Sequence, residues 1–100
     1  MRNVSVSFNE ETIQKVWEKG KIVGGNDPNI WRKDQCDAWI QRSQYGNRDS
    51  QYGWEIDHIS PGGGDNLSNL RPLQWKNNVA KSSGRLGCAV TADEVNNVET

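Results

Sequence analysis

No apolar run in this chain approaches the length of a membrane span, and the N-terminal MRNVSVSF lacks the apolar core of a signal peptide. A soluble, cytoplasmic protein is therefore expected, with no membrane contact. Cysteine is scarce: Cys36 and Cys88 stand alone with no C-x-x-C, which excludes a four-thiolate zinc site. In a cytoplasmic chain two reduced, partly buried thiols are expected rather than a disulfide. Basic runs are missing as well, so high affinity for nucleic acid through massed counterion release is not expected. There is one histidine, His58, and no internal repeat.

What is present points to one small domain. One hundred residues, 33% of them hydrophobic, with a mean hydropathy of -0.90, leave room only for a compact core. Five tryptophans (Trp17, Trp31, Trp39, Trp54, Trp75) are expected to supply much of it, since three of them lie outside the segment that carries the chemistry. The net charge of -1 is unevenly spread. Residues 31–85 hold eight Lys and Arg against six Asp and Glu, whereas residues 86–100 hold none against three.

Asn9 is a fair N-cap, Glu10 and Glu11 follow it, and Ile13, Val16 and Trp17 share one helical face, so residues 10–19 are predicted helical with Gly20 as the stop. Residues 1–8 alternate and suit a short strand or ordered tail; residues 20–30 form an irregular connection. A short strand near 36–42 precedes a polar loop. The stretch Trp54 to Ile59 reads as a strand, residues 60–67 as a glycine-rich turn, Asn69 to Leu73 as a second strand, and Gln74 to Ser83 as a helix stopped by Gly84. A further strand is possible at 88–91, and the acidic tail, 92–100, is expected to fray.

Within residues 52–83 stands YGWEIDHISPGGGDNLSNLRPLQWKNNVAK and the following pair of serines. Its Glu55, Ile56, Asp57, His58, Ile59, Pro61, Gly63, Gly64, Asn69, Leu70, Asn78 and Lys81 agree in identity and order with E-[IVL]-D-H-I-x-P, a glycine-rich turn, N-L, then H or N followed by x-x-K. The segment closely resembles the HNH endonuclease family, and the resemblance covers roughly residues 15–83. It implies an α+β fold: one domain, residues 1–100, with a ββα-metal core and the N-terminal helix at its flank. It also implies a metal-dependent endonuclease acting on DNA, most simply double-stranded, and leaving 5′-phosphate and 3′-hydroxyl ends.

Hydrolysis of a phosphodiester needs a deprotonated water and positive charge beside the crowded phosphorus. His58 is the candidate base, because an imidazole titrates near neutral pH. Asp57 and Asn78 are the candidate ligands of one Mg²⁺ or Mn²⁺, which accept oxygen donors; no structural zinc is expected. Asp57 and His58 would face opposite ways on a regular strand, so a break at its end is needed to unite them. Asp57 could instead pair with Arg71 or Lys81. Asn77 competes with Asn78, but helical geometry turns it about 100° away. The resemblance gives Asn69 the role of orienting the turn and the histidine. Lys81 and Arg71 are candidates to meet substrate phosphates. Glu55 is expected to pair with a basic side chain and to take no catalytic part. The rival readings are a nucleic-acid-binding module without turnover and a toxin effector.

Overall fold

The computed structural model describes residues 8–82 and 84–100. The expectation for residues 1–7 lies outside that range. The described chain is a small mixed α/β domain with two helices and three two-stranded antiparallel sheets.

Helix α1 (Glu10–Trp17) starts where Asn9 Oδ1 accepts from the Thr12 amide at 2.8 Å, so the predicted cap is observed. Its apolar face, Ile13, Val16 and Trp17, is buried against Ile40, Trp54, Ile56 and Leu70. The rings of Trp17 and Trp54 lie 5.3 Å apart. The chain leaves the helix under Arg32, whose guanidinium donates to the carbonyls of Glu18, Gly20 and Pro28. This buried arginine therefore satisfies carbonyls at the open C-terminal end of α1.

The predicted strand near 36–42 is observed as half of a hairpin: β1 (Trp31–Lys33) pairs with β2 (Trp39–Gln41), with Lys33 opposite Trp39. Next come β3 (Trp54–His58) and β4 (Leu70–Gln74), paired from Trp54 opposite Gln74 to His58 opposite Leu70. Helix α2 (Trp75–Ala80) follows directly. It is shorter than expected. Gln74 is its N-cap, accepting from the Lys76 amide, and the chain turns extended at Lys81, before Gly84.

The C-terminal segment departs from expectation most. It does not fray but forms a hairpin of β5 (Val90–Asp93) and β6 (Asn96–Glu99). Asn97 docks it on β2: its Oδ1 accepts from the Trp39 amide and its Nδ2 donates to the Trp39 carbonyl. Trp39 Nε1 and the Tyr52 hydroxyl donate to the carbonyls of Glu94 and Val95. Cys36 and Cys88 are also bonded as a disulfide across 52 residues, correcting the expectation of two free thiols. The terminal hairpin brings Cys88 back to the β1–β2 turn, a proximity that sequence spacing could not show.

A buried polar node links these parts. Asp34 accepts from the amides of Cys36, Ala38 and Gln74 and from Asn77 Nδ2, at 2.9–3.0 Å. Asn77, fully buried, also donates to the Val90 carbonyl and accepts from the amides of Ala89 and Val90. Three segments distant in sequence thus meet at two side chains whose polar atoms are satisfied, as burial demands.

Candidate functional site

Strand β3 keeps its alternation. Trp54 and Ile56 face the core shared with α1, while Glu55 and Asp57 bond residues of α2 and its C-terminal cap. His58, last in the strand, lies on the other side, its ring 6.2 Å from that of Phe8. The two neighbours nevertheless share a site, because an open cleft of about 780 Å³ lies at the end of the strand. Asp57, His58, Asn78 and Lys81 line it together with Asp65 and Gly64. The break expected at the strand end is not needed: β3 runs regularly to His58, and the cleft at its end is lined by both Asp57 and His58.

His58 is braced. Its Nε2 lies 2.6 Å from Asp65 Oδ1. A carboxylate at Asp65 can only accept there, so in the neutral imidazole Nε2 carries the proton and Nδ1 keeps its lone pair. Among the described residues Nδ1 has no hydrogen-bond partner. Asp65 escaped the sequence reading, since an aspartate in a glycine-rich loop is ordinarily a turn residue. Its place seven residues after His58, beyond a tight turn, was the available signal.

Asn69 clamps the loop that carries Asp65. Its Oδ1 accepts from the Ser60 amide at 2.9 Å, and its Nδ2 donates to the carbonyls of Ser60 and Gly64 at 3.1 and 2.9 Å. It bonds backbone and does not touch the imidazole. Gly63 permits this closeness, because a Cβ there would fall 2.9 Å from Asn69 Nδ2. Gly64 turns the chain with φ at 88°, a region costly for residues with a Cβ.

Asp57 is buried and doubly paired. Arg71, directly opposite in the register, donates from Nε to Oδ2 at 2.8 Å; Lys81 Nζ donates to Oδ1 at 2.6 Å. Arg71 and Lys81, expected to meet substrate, are both engaged by Asp57. Lys81 is not on the face of α2 but beyond it, reaching back also to the His58 carbonyl.

Asn78 is turned to the cleft and Asn77 away from it, as helical geometry requires. Asn78 Nδ2 donates to Glu55 Oε1 at 2.8 Å, and its Oδ1 accepts no hydrogen bond among the described residues. Glu55 also takes a two-pronged bond from Arg48 at 2.6 and 2.9 Å, matching the expectation of a basic partner. Burial tends to raise the Glu55 pKa. The hydrogen bonds from Arg48 and Asn78, with the guanidinium charge, outweigh it and hold the carboxyl below its ordinary value.

The oxygen donors of Asp57 and Asn78 suit a hard cation, and each carboxylate oxygen keeps a second lone pair beside its present partner. Among the described residues no three His, Cys, Asp or Glu side chains form a metal cage, and no helix is long and apolar enough to cross a membrane. Compared with protein-family models, curated proteins and solved structures, the chain matches none of them.

Proposed function

We propose that the chain is a metal-dependent endonuclease of the HNH type, cleaving phosphodiester bonds in double-stranded DNA to leave 5′-phosphate and 3′-hydroxyl ends. The observation that carries this reading is convergence. A histidine braced by a carboxylate, a carboxylate flanked by two cations, and a free carboxamide oxygen, from β3, the loop after it and α2, border one open cleft. His58 is the general base, taking the proton of water at Nδ1 while Asp65 holds Nε2–H in place. Asn69 fixes the loop and so acts on the base through Asp65. Asp57 and Asn78 would hold one Mg²⁺ or Mn²⁺, which when bound supplies positive charge to the phosphate. Such a pair leaves most positions to water and phosphate oxygens, so the ion is held weakly. Lys81, already on Asp57, brings a further positive charge to the cleft. The cytoplasmic setting drawn from the sequence fits poorly with the Cys36–Cys88 bond, which persists where thiols are not continuously reduced.

The rival reading, a DNA-binding module without turnover, draws on one observation: both oxygens of Asp57 already have cationic partners. Plasmid nicking with Mg²⁺, Mn²⁺ or chelator separates the two. Metal-dependent nicking is expected, with His58→Ala slower by ~10²–10⁴-fold and folded normally. Equal nicking by a folded His58→Ala protein rejects the base assignment; binding without nicking in either metal favours the module.

A further inference from the structure

A second depression, of about 230 Å³, lies beside the cleft between the end of α1 and the β1 strand. Lys19, Lys21, Lys33 and Arg71 line it, with Gln35 and Ile59. These cations come from well-separated parts of the sequence, so the fold assembles a basic patch that no linear run announces. Resting on the nuclease reading, we propose that this groove holds the phosphate backbone of the DNA strand running away from the cleft.

Charge accounting favours a polyanion there. Among the described residues Lys19 donates only to the carbonyls of Leu67 and Leu70. Lys33 sits over the Trp39 ring, 4.7 Å from its centroid, and makes no ion pair among the described residues, though, beside the Lys21 hydrogen bond, its charge helps hold the Asp37 carboxyl below its ordinary value. Lys21 meets Asp37 at 2.7 Å, but its side chain remains 51% exposed, so that pairing offers little resistance to exchange. The acidic group bordering the groove is Asp34, buried and occupied by four N–H donors. Counted against Asp34, Asp37 and the Asp57 partner of Arg71, the four cations leave one positive charge in excess.

Continuity with the cleft selects a nucleic-acid backbone over an isolated anion. Arg71, which lines the groove, links it to a residue of the cleft: its Nε bonds Asp57, which lines the cleft, and its Nη1 bonds Gln35 of the groove, 2.9 Å away. Ile59, next in sequence to His58, lines the groove and is 39% exposed. A strand cut at His58 would meet this positive surface as its backbone continued. Phosphate contacts of this kind position a duplex without reading its sequence.

The test measures binding in a His58→Ala background, where no cleavage complicates it. Anisotropy of a labelled DNA duplex is followed from about 50 to 200 mM KCl, a range over which phosphate contacts dominate the salt dependence. Lys21→Gln/Lys33→Gln, which keeps most of each side-chain stem, should weaken binding at low salt. It should also flatten the slope of log K against log[KCl] by about 1.8, roughly 0.9 for each phosphate no longer neutralised. Lys15→Gln, paired with Glu11 on exposed α1 and outside the groove, should leave the slope unchanged. An unchanged slope in the double variant, an equal loss from Lys15→Gln, or no DNA binding at low salt overturns the proposal. So does binding of an oligoglutamate in place of DNA, which would assign the groove to an acidic protein partner. Metal-dependent nicking by the unmodified chain alongside an unchanged slope would reject the groove alone. A flattened slope without nicking would reject the nuclease reading and leave the groove standing.

Discussion

Replacing Asn77 by alanine should destabilise the protein far more than the same change at its neighbour Asn78. Asn77 is fully buried and makes four hydrogen bonds: to Asp34, to the Val90 carbonyl, and from the amides of Ala89 and Val90. At a net ~0.5–1.5 kcal/mol each, their loss amounts to ~2–6 kcal/mol. The lower half of that range is expected, because Ala89 is only half-buried and can recover water. Against a total stability of roughly 5–15 kcal/mol for a domain, even ~2–4 kcal/mol is a large share. The disulfide limits the recovery by tying Cys88 beside Cys36, so the freed amides cannot move far from the node. Removing the disulfide and Asn77 together should then cost less than the sum of the two, since both fasten one segment. Urea unfolding of Asn77→Ala, Asn78→Ala, Cys36→Ser/Cys88→Ser and the combined variant measures this. A midpoint for Asn77→Ala equal to that of the unmodified chain, or strict additivity with the disulfide, would refute the argument that the node anchors the C-terminal hairpin.

Trp17→Ala should cost ~3–5 kcal/mol, the range for emptying a large aromatic core site, read by thermal or urea melting; an unchanged melting temperature with weakened DNA binding would move α1 to the substrate surface. Reducing Cys36–Cys88 should cost about 4 kcal/mol by chain entropy for a separation of 52 residues, seen as a lower unfolding midpoint with added dithiol. Asp65→Asn should depress nicking and alter its pH profile while keeping the fold, because an amide cannot hold the imidazole as a carboxylate does; an unaltered profile would deny the brace. Glu55 has a folded pKa below its ordinary 4.5, so its contribution to stability is present above that value and is lost as pH falls through the folded pKa. Between about pH 3 and 6 the stability difference between the unmodified chain and Glu55→Gln should shrink towards acid, and a pH-independent difference would contradict the linkage.

The elements legible in the sequence are those fixed by near neighbours. Asn9, the acidic first turn and the spacing of Ile13, Val16 and Trp17 announce α1 within a dozen residues. The strand at Trp54, the glycine turn and the strand ending at Gln74 are likewise local, and the ends shift by a residue or two because Gln74 serves as cap rather than helix. The terminal hairpin, of which the sequence offered only a possible strand at 88–91, overlapping β5, was otherwise hidden for the opposite reason. Its strands are short and half polar, and they are stabilised by Asn97 on Trp39 and Asn77 on Val90, contacts between residues 58 and 13 positions apart. No periodicity in residues 88–100 encodes those partners.

The site divides along the same line. That helical geometry separates Asn77 from Asn78 could be read from the chain, and the two side chains do point apart, one to the buried node and one to Glu55. Arg71 and Lys81 were legible as alternative partners of Asp57, but not that both hold it at once in a buried position. That depends on register: pairing β3 with β4 puts Arg71 directly opposite it, and the early end of α2 brings Lys81 back to it. A carboxylate with two cations has a different chemistry from one open to water, since any incoming metal must share its oxygens with Lys81 and Arg71. On the nuclease reading, Lys81→Ala would therefore bear on the metal as well as on phosphate. If Lys81 competes with the ion, Lys81→Ala should lower the Mn²⁺ concentration that half-saturates nicking even where the maximal rate falls. If it serves substrate alone, the rate falls with that concentration unchanged, and a metal titration of the two proteins distinguishes these outcomes.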